Sequence, residues 1–232
     1  MKVIILAGGY GTRLAEYTDK IPKPMVKIGK KPILSHIMET YQKYGYKKFI
    51  IAAGYKKEII EDYYKDTKEF DIQIVDTGED TMTGGRLLRL EKFIEKEENF
   101  FMTYGDGLSN IDLHSLIDFH KKQNKIATLS AVRPLPRFGN ITLKGDKVIE
   151  FKEKDSLKEG WINGGFFVLN RKVFDYISDK EDCIFEREPL QRLSEDGQLM
   201  AYKHEGFWHP MDTLRDKRFL NDILKKNKAP WL

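Results

Sequence analysis

The sequence is poor in several things that would each have pointed elsewhere. It has one cysteine, Cys183, in 232 residues. One thiol can neither staple a fold nor supply a thiolate zinc site. No histidine lies near it in sequence to activate it as a nucleophile, so it reads as a bystander. No run approaches the roughly eighteen consecutive apolar residues that a membrane-spanning helix needs. The opening MKVIILAGG has a short apolar stretch that runs straight into glycines, too brief for a secretory signal. The expectation is a cytoplasmic protein with no membrane partner. An excess of charge is lacking too. The chain has 40 Lys and Arg against 36 Asp and Glu, interspersed along its length. That argues against a nucleic-acid partner and leaves room for a local basic pocket. No linker rich in Pro, Gly or Ser and no internal repeat divides the chain. Residues 1–232 therefore read as one domain, long enough for a full core.

What is present is an alternation of strands and helices. Val3 to Ala7 is an apolar run ended by Gly8 and Gly9, the pattern of a buried strand. Pro32 opens a helix in which Ile33, Leu34, Ile37, Met38 and Tyr41 recur at helical spacing, with Gly45 as its stop. Lys48 to Ala53 predicts a second strand, Lys56 to Lys65 a helix, Phe70 to Val75 an extended segment and Phe100 to Tyr104 a further strand. Asp112 fits the N-cap of the helix that follows. Later, Ile141 to Leu143 and Val148 to Phe151 flank a Gly145-Asp146 turn, and this hairpin is expected to extend the main sheet. Ile162 to Leu169 predicts a strand. Helices are expected over Arg171 to Ile177, Glu186 to Glu195 and Thr213 to Lys225. The fold class is α/β, a mostly parallel central sheet covered on both faces, with added antiparallel hairpins.

Three motifs carry chemistry. The first is Leu6-Ala7-Gly8-Gly9-Tyr10-Gly11-Thr12-Arg13-Leu14, followed by Pro22-Lys23-Pro24-Met25. Glycines after a first strand let backbone N–H groups approach a phosphate, and Arg13 and Lys23 add positive charge. A Walker loop would need Gly-Lys-Ser/Thr, which is missing. The dinucleotide fingerprint would need a third glycine where Leu14 stands and an acid where Ala52-Ala53-Gly54 stands, which leaves a dehydrogenase without support. The second motif is Tyr104-Gly105-Asp106-Gly107. An aspartate at a strand's carboxyl end, between glycines, is well placed to hold magnesium beside phosphates. Asp212, in Trp208-His209-Pro210-Met211-Asp212-Thr213, is the candidate second carboxylate, or else a helix N-cap. The third is Thr81-Met82-Thr83-Gly84-Gly85-Arg86, where glycine and hydroxyls can press on a nucleobase and Arg86 can reach base or triphosphate.

Taken together, these blocks resemble the glucose-1-phosphate cytidylyltransferase family, within the sugar-phosphate nucleotidyltransferases. The resemblance runs almost from end to end, through LAGGYGTRL, IPKPMVKIGKKPIL, VDTGEDTMTGGRL, TYGDG, RFGN, INGGFFVLN, FEREPLQ, GFWHPMDTLRDK and KAPW. It implies a Rossmann-like fold of the nucleotide-diphospho-sugar transferase type. It implies an enzyme that joins CTP to a phosphorylated acceptor and releases pyrophosphate, with Mg²⁺ as cofactor and a homo-oligomeric assembly. Leu6, Ala7, Gly8, Gly9, Gly11, Thr12, Arg13, Thr81, Gly84, Arg86 and Gly105 would meet the nucleotide. Arg13, Lys23 and Asp106 would be catalytic, and Asp106 and Asp212 would hold the metal. Glu153, Lys154, Asn163 and Gly164 would face the acceptor. The segment between Tyr64 and Asp76 is shorter than in that family, and its Glu-Lys-Pro reads Glu153-Lys154-Asp155 here. The implied acceptor is glucose-1-phosphate. Its rival is a non-sugar phosphate such as phosphoglutamine, in capsule biosynthesis. A non-catalytic nucleotide sensor is the reading from another class.

Overall fold

The computed structural model describes residues 1–134, 140–152 and 160–232. Strand β1 is Val3–Leu6, and every residue in it is buried. Val3 and Ile5 pack into one apolar cluster, and Ile4 and Leu6 into another on the opposite face. That is the double burial an unbroken apolar run predicts. The short helix α1, Ala15–Thr18, follows the glycine loop, and a small ribbon of β2, Lys27–Ile28, and β3, Lys31–Pro32, leads into α2, Ile33–Lys43. The predicted apolar face of α2 is buried, and the helix stops before Gly45, whose φ of 84° suits glycine. Then come β4, Lys48–Ala53, α3, Lys57–Tyr64, β5, Asp71–Asp76, and α4, Thr83–Leu88. Beyond them lie β6, Asn99–Tyr104, β7, Gly107–Ser109, and α5, Leu113–Gln123. The Asp112 carboxylate caps α5 by accepting the Ser115 N–H at 3.0 Å.

The remaining elements are β8, Ala127–Val132, β9, Asn140–Lys144, β10, Lys147–Lys152, β11, Ile162–Asn170, α6, Glu188–Glu195, β12, Leu199–His204, β13, Trp208–Pro210, and α7, Leu214–Lys225. Seven strands form the main sheet in the order β12-β8-β11-β6-β1-β4-β5. All run parallel except β11, which is antiparallel to both its neighbours. From β1 the chain builds outward through β4 and β5, then crosses to β6 on the other side of β1. Such a reversal opens a crevice beyond the carboxyl ends of the strands, where ligands bind in α/β sheets.

Three expectations are corrected, and two strands are added. Among the described residues, the β9–β10 hairpin pairs only with itself and does not extend the main sheet. A register shift between Val148 and Glu150 bends it. The cross-strand pairs Ile141–Phe151 and Leu143–Val148 leave one apolar face at least half exposed. Residues Arg171–Tyr176 form a 3₁₀ helix, not an α-helix. Strands β8 and β12 are not among the expected elements, because β8 interrupts its apolar pattern with Thr128 and Ser130, both fully buried. Finally, the N-cap of α7 is Thr213 and not Asp212.

Candidate active site

The glycine loop begins where β1 loses its partner. Ala7 donates the last ladder bond, to the Ala52 carbonyl at 2.9 Å. Beyond it the loop borders a cleft of about 700 Å³ that takes in the ends of β1 and β6. Gly11 sits at φ 66°, and a Cβ there would lie 2.8 Å from the Lys23 Cβ. Only glycine lets the loop fold back so closely. Thr12 and Arg13 then stand exposed on a short 3₁₀ turn at the mouth. Gly105, after β6, is held as tightly. A Cβ there would meet Pro24 Cγ at 2.9 Å and the Leu6 carbonyl at 3.1 Å.

Lys23 is the electrostatic centre. Pro22 and Pro24 flank it in a tight 3₁₀ turn, and it is 7% exposed. Its ammonium donates to Asp106 Oδ2 at 2.6 Å and to Asp212 Oδ1 at 2.7 Å. Arg13 Nη1 donates to the other oxygen of Asp212 at 2.8 Å. Burial disfavours the Lys23 charge, but the two carboxylates outweigh it and hold its pKa above the ordinary value. The carboxylates are themselves fixed. The Met211 N–H donates to the Asp106 carbonyl at 2.8 Å, joining the two loops. Asp216 accepts the N–H groups of Asp212 and Thr213, at 3.2 and 2.8 Å, in the capping box of α7.

Two hard carboxylates already gathered on one cation are a suitable partial donor set for Mg²⁺, which is usually held by one or two carboxylates and completed by substrate phosphates. Among the described residues no group of three or more His, Cys, Asp or Glu gathers to hold a metal. An ion at Asp106 and Asp212 would therefore share its shell with ligand oxygens.

Thr81 borders the cleft and is 4% exposed, with its hydroxyl accepting from Arg89 Nη1 at 2.7 Å. Arg86 departs from the sequence expectation. It borders the cleft but is 4% exposed, and its Nη groups donate to the carbonyls of Ala53, Gly78, Gly8 and Glu79 and to the Thr77 hydroxyl. The donors expected to reach base or triphosphate are engaged in holding the glycine loop onto the turn after β5. Gly84 is also corrected. It lies behind the cleft wall, donating its N–H to the Cys183 carbonyl at 2.9 Å, because the close packing of α4 on residues 180–183 leaves no room for a Cβ.

Asn163 and Gly164 also border the cleft. Glu153 and Lys154 lie outside the described residues. Sequence reasoning missed three neighbours. Tyr104, the last residue of β6, is pressed against Gly165, where a Cβ would come within 2.6 Å of its ring. Burial, then the charge of Glu186 and the hydrogen bond to it, raise the Tyr104 pKa, so the phenol stays protonated. Glu186 accepts that phenol and the Thr83 hydroxyl. Trp208 donates Nε1–H to the Gly164 carbonyl at 2.7 Å. Tyr104 directly precedes the Gly105-Asp106 motif, and Glu186 and Trp208 stand in FEREPLQ and GFWHPMD, so the blocks were visible but not these roles.

Known proteins are similar to this chain along its whole length. The nucleotidyl transferase family model covers residues 2–216. A glucose-1-phosphate cytidylyltransferase of Salmonella typhimurium is 46% identical over 254 aligned positions, spanning 100% of this chain and 98% of the relative. A probable glucose-1-phosphate cytidylyltransferase of Bacillus subtilis is 40% identical, spanning 100% of this chain and 99% of the relative. The 254 positions against 232 residues mean that the Salmonella relative carries residues this chain lacks. Among solved structures, HddC from Yersinia pseudotuberculosis complexed with GMP-PN superposes with a TM-score of 0.76 at 28% identity, covering 96% of this chain and 99% of that one. The chain belongs to the nucleotidyl transferase family and, within it, to the glucose-1-phosphate cytidylyltransferases.

Proposed function

We propose that the chain is a Mg²⁺-dependent cytidylyltransferase that converts CTP and glucose-1-phosphate to CDP-glucose and pyrophosphate. The observation that carries this reading is the convergence of Lys23 and Arg13 with Asp106 and Asp212 beside the glycine loop. The choice of CTP and glucose-1-phosphate leans on relatives that bear that name at up to 46% identity. The reading includes a homo-oligomer working in the cytoplasm to supply capsule or surface polysaccharide synthesis. No helix among the described residues is long and apolar enough to cross a membrane.

An oxygen of the acceptor phosphate attacks the α-phosphorus of CTP, the bond to the β-phosphate oxygen breaks, and pyrophosphate leaves. A phosphate monoester has its second pKa near 6, so the nucleophile is already a dianion and needs no general base. The protein's share is positioning and charge. The loop from Gly8 to Gly11, which Arg86 anchors from beneath through the Gly8 carbonyl, presents backbone N–H groups to the triphosphate. Lys23 and Arg13 oppose the negative charge that builds on the transferring and leaving oxygens. A bound Mg²⁺ at Asp106 and Asp212 would add Lewis-acid neutralisation of the same oxygens. The intact cationic set argues against a mere sensor.

Pyrophosphate release settles the matter. Purified protein with Mg²⁺ should release it from CTP on addition of glucose-1-phosphate, and should do so far less efficiently from UTP, dTTP, ATP or GTP. Cytosine differs from uracil at N3 and N4, and a site that hydrogen-bonds those atoms discriminates strongly. Comparable efficiency with UTP would refute the base assignment. Turnover with a phosphorylated amino acid and none with glucose-1-phosphate would overturn the acceptor. Binding of CTP without release, whatever the acceptor, would make the chain a sensor.

A further inference from the structure

Glu186 borders the cleft from the turn before α6, apart from the carboxylates gathered on Lys23. Its Oε1 accepts the Tyr104 hydroxyl, and its Oε2 accepts the Thr83 hydroxyl at 2.5 Å. Thr83 is fixed in turn, since its oxygen accepts the Phe185 N–H at 2.9 Å. The two donors come from the end of β6 and the start of α4, so the carboxylate plane is held from two sides. Among the described residues no lysine or arginine pairs with Glu186.

A carboxylate offers about four lone-pair positions and no donor. The protein fills two, one on each oxygen, and leaves roughly one on each for the cleft. A negative charge is a poor neighbour for incoming phosphates unless what reaches it is a hydrogen-bond donor. Adjacent hydroxyls of a sugar ring are neutral donors at the spacing of two carboxylate oxygens. We infer that Glu186 reads hydroxyl groups of the acceptor's sugar ring, with Tyr104 and Thr83 fixing the orientation of its carboxylate. Glu186 is then a specificity-determining residue, and Tyr104 and Thr83 are positioning residues. This rests on the sugar-phosphate reading above.

The test is steady-state kinetics with CTP and two acceptor sets, glucose-1-phosphate and its monodeoxy analogues, in wild type, E186Q and Y104F. Hydrogen bonds to a charged group contribute about 1.5–3 kcal/mol, which corresponds to a roughly ten- to hundredfold rise in the E186Q KM for glucose-1-phosphate. The kcat and the KM for CTP should stay within about twofold, the pattern of lost ground-state binding. At least one deoxy analogue that wild type handles poorly should be no worse than the parent sugar for E186Q. Y104F keeps the carboxylate and should keep most of that deoxy penalty. A wild-type KM in E186Q, an undiminished deoxy penalty, or identical behaviour of E186Q and Y104F would overturn the assignment and leave the cytidylyltransferase reading standing. Turnover of a phosphorylated amino acid with no sugar phosphate accepted would overturn both. Should E186Q not fold, E186D, which withdraws the charge by one methylene, is read in its place. The same diminished penalty is expected, and an undiminished one overturns the assignment.

Discussion

The two halves of the sheet are built by different means. On the side of β1, β4 and β5, the centre is apolar, with Val3, Ile4, Ile5, Phe49, Ile50 and Ile51 at 1% exposure or less. Its ligand loop is held by main chain and by one buried cation, Arg86. On the side of β8, β11 and β12, buried polar side chains do the fixing. His120 bonds Thr128 at 2.9 Å and Asn99 at 3.1 Å, Asn170 bonds Asn99 at 3.2 Å, and Ser130 accepts the Phe166 N–H at 3.2 Å. The cleft inherits the contrast. One part of its lining is glycine backbone and fixed charge, and another is a web of side-chain hydrogen bonds around Tyr104, Glu186 and Trp208. Main chain cannot be varied by substitution, whereas side chains can. On the function proposed above, acceptor choice can change while the phosphate chemistry stays put.

The hardest blow to the charged end is Asp106→Asn. It keeps the shape but removes one of two charges facing Lys23, and turnover should fall about a thousandfold with the fold intact. Rates measured across a Mg²⁺ titration check it. A near wild-type rate at limiting Mg²⁺ would break the assignment of Asp106 to the metal.

Arg86→Ala probes how the same half is held. It removes the donor to the Gly78 and Glu79 carbonyls and to the Thr77 hydroxyl, and one of the donors to the Gly8 and Ala53 carbonyls, beneath the glycine loop. Loss of several kilocalories of stability, on the order of 4 kcal/mol, is expected in denaturant melts, with a raised KM for CTP. Unchanged stability would show that the cradle contributes nothing.

The polar half should yield first to acid. Burial lowers the His120 pKa from 6.5 to about 4. Between those values the unfolded chain takes up a proton that the fold refuses, so the contribution is complete above 6.5 and is lost as pH falls toward 4. The loss from this residue is about 3 kcal/mol. Burial lowers the pKa of His204, at the end of β12, with the same sign, and that of His36, which lies in α2 outside this half. Melts from pH 7 to 4 should show the decline, and His120→Gln should flatten it. Hydrogen exchange that opened β1 and β4 before β8 and β11 at pH 4 would contradict the contrast between halves.

The gentlest probe is Tyr10→Phe. The Tyr10 hydroxyl donates to Asp80 at 2.7 Å across the exposed mouth, and neither half depends on it. The KM for CTP should move by less than about twofold. A larger change would mean that this contact closes the mouth on the nucleotide.

Much of this was legible in the residues themselves. The apolar run Val3–Leu6, the spacing of α2 and the Asp112 cap follow from local chemistry, where period, burial and capping agree. So does the gathering of glycines with Arg13, Lys23 and Asp106, because phosphate binding at strand ends has few solutions. What the tertiary structure alone decided is who meets whom. Lys23 finds its carboxylates 83 and 189 residues away, and Glu186 finds Tyr104 across 82. No periodicity reports such distances. Arg86 looked like a ligand-binding cation because its neighbours were glycines and hydroxyls. The fold turned it inward, where it supplies the donor to the Gly78 and Glu79 carbonyls after β5 and a further donor to those of Gly8 and Ala53. The β9–β10 hairpin has the alternation of a sheet strand, yet it stands alone, because joining the main sheet depends on a free edge in register and not on pattern.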